Sequence, residues 1–582
     1  MEVSNPRAVR LGRWLPGLAS ARSYQREWLP KDLIAGLVLV ALLVPQGMAY
    51  AELAGLPPVN GLYASMVPLL IYALLGPSRI LVLAPDSAIA PMVAATIIPL
   101  AGEDMSERVA IAGLLAILVG GFCLAGAAFG AGFLTDLISR PVRTGYLAGI
   151  ALTVIVSQIP AMLGIEGGGE RLAPAIRSIA GEIGDLDWST VLVGTACLIV
   201  LLGLRKVSRM IPAALIVVIG SILVTRIADL NVAVVGSLPM GLPELVVPQP
   251  GGVSIEKLAL SAAAISVIAF ADTSILSRSY ARRLNEEVDA NQELRALGVA
   301  NLATGLFQGF PISSSSSRTP VAEQSGARTQ LTGVIGAIGL GVVLLSFGDL
   351  FRDLPTAALA AILIGAAIGL VDVDEFRRLW QVYRPDCYLA IAAFVGVSLA
   401  GVLWGIGFAI VLSIAAFLWR SWHPHVAVLG RAPGVKGYHD VTRYADANQI
   451  PGLLLFRFDA PIFFANAELF RDSVMHAVAN ADCPIARVVI AAEPITDLDS
   501  TAADMLTTLD RDLAKQGIDL AFAELRDPMK DRLRTFGIVE IIGHEKFYLT
   551  LGQAVRSYVE ETGVEWVDWE DRPTHARESG DS

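Results

Sequence analysis

The sequence predicts a polytopic α-helical membrane protein that continues into a soluble α/β domain at its carboxyl end. Of its 582 residues, 54% are hydrophobic and 17% charged, and the mean hydropathy is +0.59. Ordinary soluble proteins are less apolar and more charged. The bias is uneven, because residues 431–582 hold 16 basic and 26 acidic side chains while the first 430 residues are nearly neutral. A wholly soluble globule is therefore excluded.

Apolar segments follow one another from residue 33 to residue 420. There are about fourteen, and several are too short to span a bilayer alone. They lie at 33–50, 61–76, 86–101, 108–131, 143–164, 189–204, 211–228, 257–277, 296–310, 319–326, 330–348, 355–371, 386–401 and 403–420. With the amino terminus inside, the clustered arginines fall on the cytoplasmic side and the acidic loops outside. The prediction is a multi-pass protein of the plasma (inner) membrane with both termini cytoplasmic.

The predicted domains follow from changes in composition along the chain. Residues 1–32 are Arg-rich and lack the apolar core of a cleavable signal, so we predict a cytoplasmic segment. A transmembrane domain fills 33–421, and 422–449, with Pro424, Pro433 and Gly434, is predicted to be a linker. From 450 to 562, strands at 453–458, 487–492 and 519–523 alternate with helices at 466–479, 501–515 and 551–558. Residues 563–582 are predicted to be disordered.

Composition also excludes several classes of function. The net charge of −11 argues against a nucleic-acid partner, which needs a clustered basic face. The sequence has no nucleotide loop, metal-ligand cluster or nucleophile constellation, so we predict no enzyme activity, metal or cofactor. All six histidines follow the last long apolar segment, so histidine cannot carry protons within the membrane.

Residues 309–320, G-F-P-I-S-S-S-S-S-R-T-P, cannot form an ordinary lipid-facing helix. Five consecutive serines compete for backbone hydrogen bonds, and the prolines remove donors. Pro320 fits the first turn of a helix, with Ser317 or Arg318 near the cap and free N–H groups directed at the bilayer midplane. A helix start with a fixed guanidinium predicts an anion site. The alternative is a polar loop at the membrane surface without a ligand.

A second interrupted segment lies in the first half of the chain. Residues 83–88, L-A-P-D-S-A, form a short extended approach broken by Pro85 and followed by a small-residue helix. Two interrupted segments in corresponding halves are typical of inverted-repeat transporters, whose half-helices face one substrate at the midplane. Asp86 is either a plain helix cap or part of the site, and its charge would repel an anion.

Asp272 lies within an apolar helix and is the best candidate for a proton carrier. Desolvation disfavours the charged form of a carboxylate in such a position. The alternative is a static ion pair with Arg278 or Arg318.

The most distinctive motif is residues 44–65, V-P-Q-G-M-A-Y-A-E-L-A-G-L-P-P-V-N-G-L-Y-A-S. With Ser316-Ser317-Arg318, Glu323 and G-A-R-T-Q-L at 326–331, it resembles the sulfate permease (SulP) family of anion transporters. The carboxyl-terminal region is similar to the STAS domain of that family, so the resemblance covers nearly the whole chain.

The resemblance implies fourteen segments in two inverted sets of seven, with two half-helices and short strands at the midplane. It also implies a mobile core that moves in an elevator-like step, and a gate that forms a homodimer. Sodium coupling is disfavoured, because Leu276 lacks the hydroxyl found one turn after Asp272 in some sodium-coupled relatives; Asp272 takes the proton-coupling position. The residues implied to bind the anion are Gln46, Tyr50, Pro85, Asp86, Ser87, Ala88, Ser316, Ser317 and Arg318.

In the STAS region, residues 497–502, D-L-D-S-T-A, resemble the strand-to-helix turn of anti-sigma-factor antagonists. Thr501 occupies the phosphorylated position, but Ala502 replaces a glycine there. We therefore expect Ser500 or Thr501 to act as a helix cap.

Three hypotheses of function remain open from the sequence. The first is proton-coupled symport of a small anion, with sulfate favoured over bicarbonate or a dicarboxylate. The second is a chloride/bicarbonate exchanger or channel-like carrier, which needs Arg318 but no titrating Asp272. The third, a membrane scaffold, leaves the costly polar segment at membrane depth unexplained.

Overall fold

The structure, a computed structural model, describes residues 15–17, 24–130, 132, 139–165, 172–208, 212–239, 241–249, 251, 253–284 and 286–566. The chain divides into two compact units, the first ending at Ile414 and the second beginning at Ala415. The predicted disordered tail falls almost wholly on residues 567–582, which lie outside the described residues, as does most of the predicted amino-terminal segment.

The first unit is helical, with one small sheet. Its elements are α1 (Leu29–Leu53), α2 (Pro58–Leu75), β1 (Leu83–Ala84), α3 (Ala90–Ala101), α4 (Met105–Ala128), α5 (Arg140–Leu163), α6 (Leu172–Glu182), α7 (Trp188–Val207), α8 (Ala213–Ile227), α9 (Ile255–Leu284), α10 (Ala290–Leu306), β2 (Ser313–Ser314), α11 (Arg318–Gln324), α12 (Leu331–Ser346), α13 (Thr356–Ile368), α14 (Val373–Val382), α15 (Arg384–Ala400) and the start of α16 (Val402–Trp422). The order of two helices, a short strand and further helices occurs twice. This recurrence is typical of a fold built from two repeats.

Seven helical segments among the described residues are long and apolar enough to cross a membrane. They are Arg26–Leu53, Pro58–Leu75, Met105–Ala128, Arg140–Leu163, Trp188–Val207, Ile255–Leu284 and Thr356–Val382. Shorter apolar helices lie at Ala90–Ala101, Ala213–Ile227, Leu331–Ser346 and Gly407–Trp422. The predicted class of a polytopic helical membrane protein with a carboxyl-terminal α/β domain is confirmed.

Glycine pairs let α4 and α10 approach closely. A β-carbon added at Gly120 would lie 2.6 Å from the carbonyl oxygen of Gly298, and one at Gly113 would lie 2.9 Å from that of Gly305. Gly113 and Gly120 are seven residues apart on α4, and Gly298 and Gly305 are seven residues apart on α10. Both close contacts therefore lie along the same interface between the two helices. In a bilayer the hydrophobic effect does not hold helices together. Small residues such as glycine instead let the two backbones approach closely enough for favourable van der Waals packing.

The membrane helices pack as two groups. In the first helix group, α4 packs against α3, α9 and α10, while α1 and α2 pack against α12, and β1, β2 and α11 join them. In the second helix group, α5 packs against α13 and α15, and α7 packs against α8 and α13. Contact between the groups is made mainly by α1 with α8 and α13. Two bodies with a limited interface can shift relative to one another more easily than one interlocked bundle.

The second unit holds a six-stranded sheet of order β4-β3-β5-β6-β7-β8. Its elements are β3 (Val426–Arg431), β4 (Tyr438–Asp440), β5 (Leu453–Phe458), α17 (Ala467–Ala479), β6 (Arg487–Ala491), α18 (Ser500–Ala514), β7 (Asp519–Ala523), α19 (Asp527–Thr535), α20 (Ile538–Ile542), β8 (Phe547–Tyr548) and α21 (Leu551–Thr562). β5 to β8 run parallel, whereas β3 is antiparallel to β5. Residues of α17 to α20 bury one face of the sheet and those of α21 the other.

Residues 422–449, predicted to be a linker, instead contain β3 and β4. Ala427 and Leu429 point into the core shared with α21, while Val426 and Val428 pack on the opposite side. This period-two alternation is the pattern of a strand covered on both faces. The flanking prolines bound the strands and do not prevent them.

Candidate functional site

The two interrupted segments of the chain meet in a small antiparallel sheet. In it, Leu83 of β1 pairs with Ser314 of β2, and Ala84 pairs with Ser313. The backbone N–H of Ser315 extends the pairing to the carbonyl of Val82 at 2.9 Å. A bilayer supplies no water that could bind unpaired backbone N–H and C=O groups. The two interrupted segments therefore satisfy each other's backbone hydrogen bonds.

Hydroxyl and amide side chains of neighbouring helices hold β2 in position. Asn301 of α10 accepts from the N–H of Ile312 at 2.9 Å and donates to its carbonyl at 3.2 Å. Thr273 of α9 accepts from the N–H of Ser314 at 3.2 Å. The serine run is therefore a fixed part of the first helix group.

Arg318 joins the two interrupted segments to each other. Its side chain is fully buried, with Nε donating to Ser315 Oγ at 2.8 Å and Nη2 donating to the carbonyl of Pro85. The guanidinium carbon lies 5.7 Å from the ring centre of Tyr50. Among the described residues, Nη1 has no hydrogen-bond partner. The buried guanidinium therefore keeps unused donor capacity and its positive charge next to the two interrupted segments.

Pro320 lies in the first turn of α11, and Ser317 occupies the cap position as predicted. Ser317 makes no side-chain cap bond there, and Ser315 Oγ instead accepts from the N–H of Arg318 at 3.2 Å. Since α11 is only seven residues long, its dipole is small, and side chains must supply most of the attraction for an anion.

A cavity of about 510 Å³ lies between the two helix groups. Its lining from the first group includes Gln46, Tyr50, Ser87, Ser316 and Ser317. α7, α8 and α13 of the second group close the other side. Of the predicted binding residues, these five line the cavity, whereas Pro85, Asp86, Ala88 and Arg318 are buried and are not among its lining residues.

Gln46 places an unsatisfied acceptor at this cavity. Its side chain is buried, and Oε1 has no partner among the described residues. An amide can also offer its N–H₂ group to a ligand. Gln46 and Arg318 are thus two buried polar groups near the cavity whose hydrogen bonding is incomplete.

Arg205 and Lys206 are cavity residues that our sequence reasoning did not assign to the site. In the sequence, Arg205 and Lys206 belong to a basic cluster that we predict to lie on the cytoplasmic side. Arg205 is held in position by a 2.7 Å bond from Nη1 to the carbonyl of Gly365 on α13. Lys206 is exposed. The sequence signal for these two residues is their position in the last turn of α7. Basic residues at the end of a membrane helix indicate its orientation in the membrane and do not indicate a ligand site.

Asp86 lies in the turn before α3 and is not the N-cap of that helix, which is Ile89. Its Oδ2 accepts from the N–H of Ala88 at 3.1 Å, and its carbonyl accepts from the N–H groups of Ile89 and Ala90. The side chain is buried and directed at the turn that leads into α3. It therefore stabilises that turn.

Asp272 is buried and paired, but with neither of the two arginines considered from the sequence. Arg143 of α5 donates from Nη2 to Asp272 Oδ1 at 3.0 Å. Arg318 donates to Ser315 and Pro85 instead. The partner was missed because Arg143 is 129 residues away and lies next to a predicted cytoplasmic loop.

The comparisons with known proteins agree with this architecture. Residues 29–393, more than half of the chain, match the sulfate permease family. The chain belongs to that family. Residues 444–554 match the STAS domain. Family and fold are those of transporters and not of enzymes.

Three relatives illustrate the match. The probable sulfate transporter MT1781 of Mycobacterium tuberculosis (strain CDC 1551 / Oshkosh) is 40% identical over 94% of this chain and 98% of its own length. The murine Solute Carrier 26 family member A9 anion transporter, solved in the inward-facing state, has a TM-score of 0.87 at 21% identity, covering 97% of this chain and 96% of that one. The transmembrane domain of the cyanobacterial bicarbonate transporter BicA has a TM-score of 0.59 at 20% identity, covering 67% and 98%. At these identities the two structures share the fold with this chain.

The turn at 497–502 of this sulfate permease STAS domain differs from our expectation. The cap of α18 is Asp499, whose Oδ1 accepts from the N–H of Ala502 at 2.8 Å. Its Oδ2 accepts from the N–H of Phe464 at 2.8 Å. A carboxylate caps a helix as well as a hydroxyl does and also complements the helix dipole. The prediction that Ser500 or Thr501 is the cap is wrong.

Proposed function

We propose that this protein is a secondary transporter that carries a small anion through the cavity between its two helix groups, with sulfate favoured. The observation that carries the proposal is the lining of that cavity. Among the described residues it includes two cations, Arg205 and Lys206, hydroxyl and amide groups, and no acidic side chain. Such a surface attracts an anion and offers hydrogen bonds to its oxygens.

The anion in this proposal lies against Gln46, Tyr50, Ser87, Ser316 and Ser317. Arg318 acts from behind the serines, holding Ser315 and Pro85 in place, with Nη1 free to donate. Hydroxyl groups and one guanidinium distinguish charge and size more than chemical identity. Bicarbonate and a dicarboxylate therefore remain alternative substrates, and the sulfate preference rests on the family and on the relative from Mycobacterium tuberculosis.

The transport step in this proposal is an elevator-like shift of the first helix group along the second. Two features support it: the cavity lies between the groups, and the groups touch mainly through α1 with α8 and α13. The anion would travel with the first group, because β1, β2 and α11 all belong to it.

Proton coupling through Asp272 is part of the leading hypothesis. A carboxyl group that is buried in one arrangement and exposed in another can bind and release a proton. The Arg143 ion pair favours the second candidate function, exchange of chloride or bicarbonate without proton coupling, because a neighbouring guanidinium stabilises the charged form of a carboxylate. Proton dependence of uptake separates the two.

The remaining proposals concern the setting of the transporter. We place it in the plasma (inner) membrane with both termini cytoplasmic, on the distribution of arginines between loops. A homodimer is proposed from the family resemblance alone.

The decisive experiment is uptake of labelled sulfate by purified protein in liposomes, with unlabelled sulfate, bicarbonate, chloride and a dicarboxylate as competitors. We expect saturable uptake that unlabelled sulfate suppresses most strongly and that an inward proton gradient increases. Stronger suppression by another anion would reassign the substrate. A complete lack of flux would support the scaffold hypothesis.

A further inference from the structure

The Arg143–Asp272 ion pair joins the two helix groups. Arg143 lies on α5, which packs within the second group against α13 and α15. Asp272 lies on α9, which packs within the first group against α4 and β2. The main packing between the groups involves α1 with α8 and α13. This ion pair, called the tie below, therefore connects the two groups at a place where their backbones are not closely packed.

The surroundings make the tie energetically important. The side chains of Arg143 and Asp272 are 29% and 12% exposed, so solvent screens them little. Arg143 Nε is buried without a partner among the described residues. Tyr146 of α5 and Asp86, which precedes α3, also lie within electrostatic reach of Asp272. Removing one member of such a pair leaves a buried charge that is not compensated.

The tie is linked to the substrate site by short steps along the first group. Thr273, next to Asp272, accepts from the N–H of Ser314 at 3.2 Å. The following residue, Ser315, accepts from Arg318 Nε at 2.8 Å. A displacement of α9 relative to α5 thus moves the serine segment and the anion site with it.

We propose that Arg143 is a positioning residue that holds the first helix group in the arrangement described above, and that its bond to Asp272 breaks each time the group shifts. The inference rests on the proposed movement of the two groups and assigns it a specific latch. The hydrogen bond between Arg143 and Asp272 is 3.0 Å long. A shift of the first group by a few ångströms breaks it, because hydrogen bonds form only within a narrow range of distances. Loss of the latch lowers the population of this arrangement.

The test uses the accessibility of Val321, which lines the cavity on α11 and is partly exposed. Val321→Cys is introduced in the full chain after Cys483→Ser, since the other three cysteines are buried. The reference is the chain that carries only Cys483→Ser and Val321→Cys. A membrane-impermeant maleimide is applied from the membrane face on which it labels this reference chain. The readout is the alkylation rate, which requires no transported anion.

We expect Arg143→Gln to slow alkylation by about fivefold or more, the lower end of typical coupling between sites. Asp272→Asn removes the same tie from the other side, gives the same result, and serves as the test if Arg143→Gln fails to fold. The double variant should be no slower than either single one, because both remove one interaction. Arg140→Gln, an exposed arginine one turn earlier on α5, is the matched control and leaves the rate unchanged.

Unchanged alkylation in both single variants, or effects that add in the double variant, would overturn the latch. The proposed transport function fails separately, by the absence of anion flux in liposomes. The latch can therefore be rejected while transport stands, and transport can be rejected while the latch stands.

Discussion

Arg318 is the residue on which the site depends most. It is fully buried, binds Ser315 through Nε and Pro85 through Nη2, and keeps Nη1 without a partner in the described part of the chain. A guanidinium spreads five N–H donors over three nitrogens in a fixed plane, whereas an ammonium carries its three donors on a single nitrogen. The residue therefore holds the two interrupted segments together, and in the proposed site its positive charge attracts the anion.

We expect Arg318→Lys to raise the KM of anion uptake by about 10- to 100-fold, because the ammonium cannot satisfy Ser315 and Pro85 together and each charge-assisted bond contributes roughly 1.5–3 kcal/mol. Arg318→Ala should abolish saturable uptake while membrane insertion persists. The measurements are uptake in liposomes and thermal unfolding in detergent. Arg226→Ala is the control, since that side chain is 70% exposed in an ion pair with Asp353. Uptake of wild-type affinity in Arg318→Ala would remove Arg318 from the site.

Arg205 should act on the anion through its charge. Its guanidinium is fixed to Gly365 and lines the cavity, so Arg205→Gln should raise KM by about fivefold and weaken the dependence of KM on ionic strength. Arg226→Gln removes an equal charge from the second helix group without touching the cavity and should change neither. An ionic-strength dependence that stays unaltered in Arg205→Gln would show that the charge is not sensed by the anion.

At the scale of elements, β3 and β4 change the boundary of the soluble domain. β3 pairs with β5 from Val426↔Phe458 to Leu429↔Leu455. A fragment that begins at residue 450 would leave β5 as an exposed edge with unpaired backbone groups, a state prone to aggregation. The sheet needs the segment that the prolines suggested was a linker.

We therefore expect a fragment of residues 423–566 to be monomeric and cooperatively folded, and a fragment of 450–562 to aggregate or to lose several kcal/mol of its free energy of unfolding. Circular dichroism during urea titration, with size-exclusion chromatography, compares the two. Equal stability of both fragments would show that β3 and β4 contribute nothing to the sheet.

A charge network joins the amino-terminal ends of β6 and β7 to α21. Arg487 is buried and contacts Glu561 at 2.6 Å and Asp519 at 3.1 Å. Hydrogen bonds from Arg487 and Ser557 lower the pKa of Glu561. Burial acts to raise the pKa of Asp519, but hydrogen bonds from Lys546 and Arg487 outweigh it, and this pKa is lowered too.

Because both carboxyl groups have lower pKa values in the folded state than in the unfolded state, their contribution to stability is complete above the unfolded values of about 4. It is lost as pH falls through the lower folded values. The 423–566 fragment should thus lose stability from roughly pH 5 downward. Arg487→Met should make that loss shallower in urea titrations across pH 3–6, whereas Arg534→Ala, in an exposed pair with Asp531, should not. Parallel pH profiles for Arg487→Met and the unmodified fragment would contradict this account.

At the scale of the whole molecule, two helix groups with a cavity between them provide the parts needed for alternating access. The close glycine contacts of Gly113 with Gly305 and of Gly120 with Gly298 keep α4 and α10 together, as the proposed movement of the first group as one body requires. The ion pair of Asp272 crosses to the other group. In the proposed mechanism, the charge of Asp272 therefore depends on the arrangement of the two helix groups.

We expect Asp272→Asn to uncouple transport from the proton gradient. Asparagine mimics the protonated carboxyl group, so gradient-driven accumulation should disappear while exchange of labelled for unlabelled anion continues. The measurement compares both modes in liposomes at a fixed inward proton gradient. Accumulation that still follows the gradient would move the coupling to another carboxyl group, with Glu52, Asp86 and Glu323 next to test, or to a proton carried on the anion.

Much of the architecture could be predicted because it depends on local chemistry. Long apolar runs predict membrane helices through the free energy of transfer into lipid. Pro85 and the serines at 313–317 predict breaks, since they remove or compete for helical hydrogen bonds. The predicted breaks are present, and they pair as β1 and β2. β3 and β4 escaped prediction because β3 is covered on both faces and so shows no alternation of apolar and polar residues, and β4 has only three residues.

The membrane class of this protein, the position of two breaks in its apolar segments and the presence of an α/β domain could thus be inferred from local sequence patterns. Which charged groups meet depends on the tertiary structure: Arg318 contacts the carbonyl of Pro85, 233 residues away, and Asp272 contacts Arg143, 129 residues away. The tertiary structure also brings Arg205 and Lys206 to the cavity. Helix propensity and hydropathy act over a few residues, whereas an ion pair requires two distant backbones to be held within a few ångströms, which packing alone achieves.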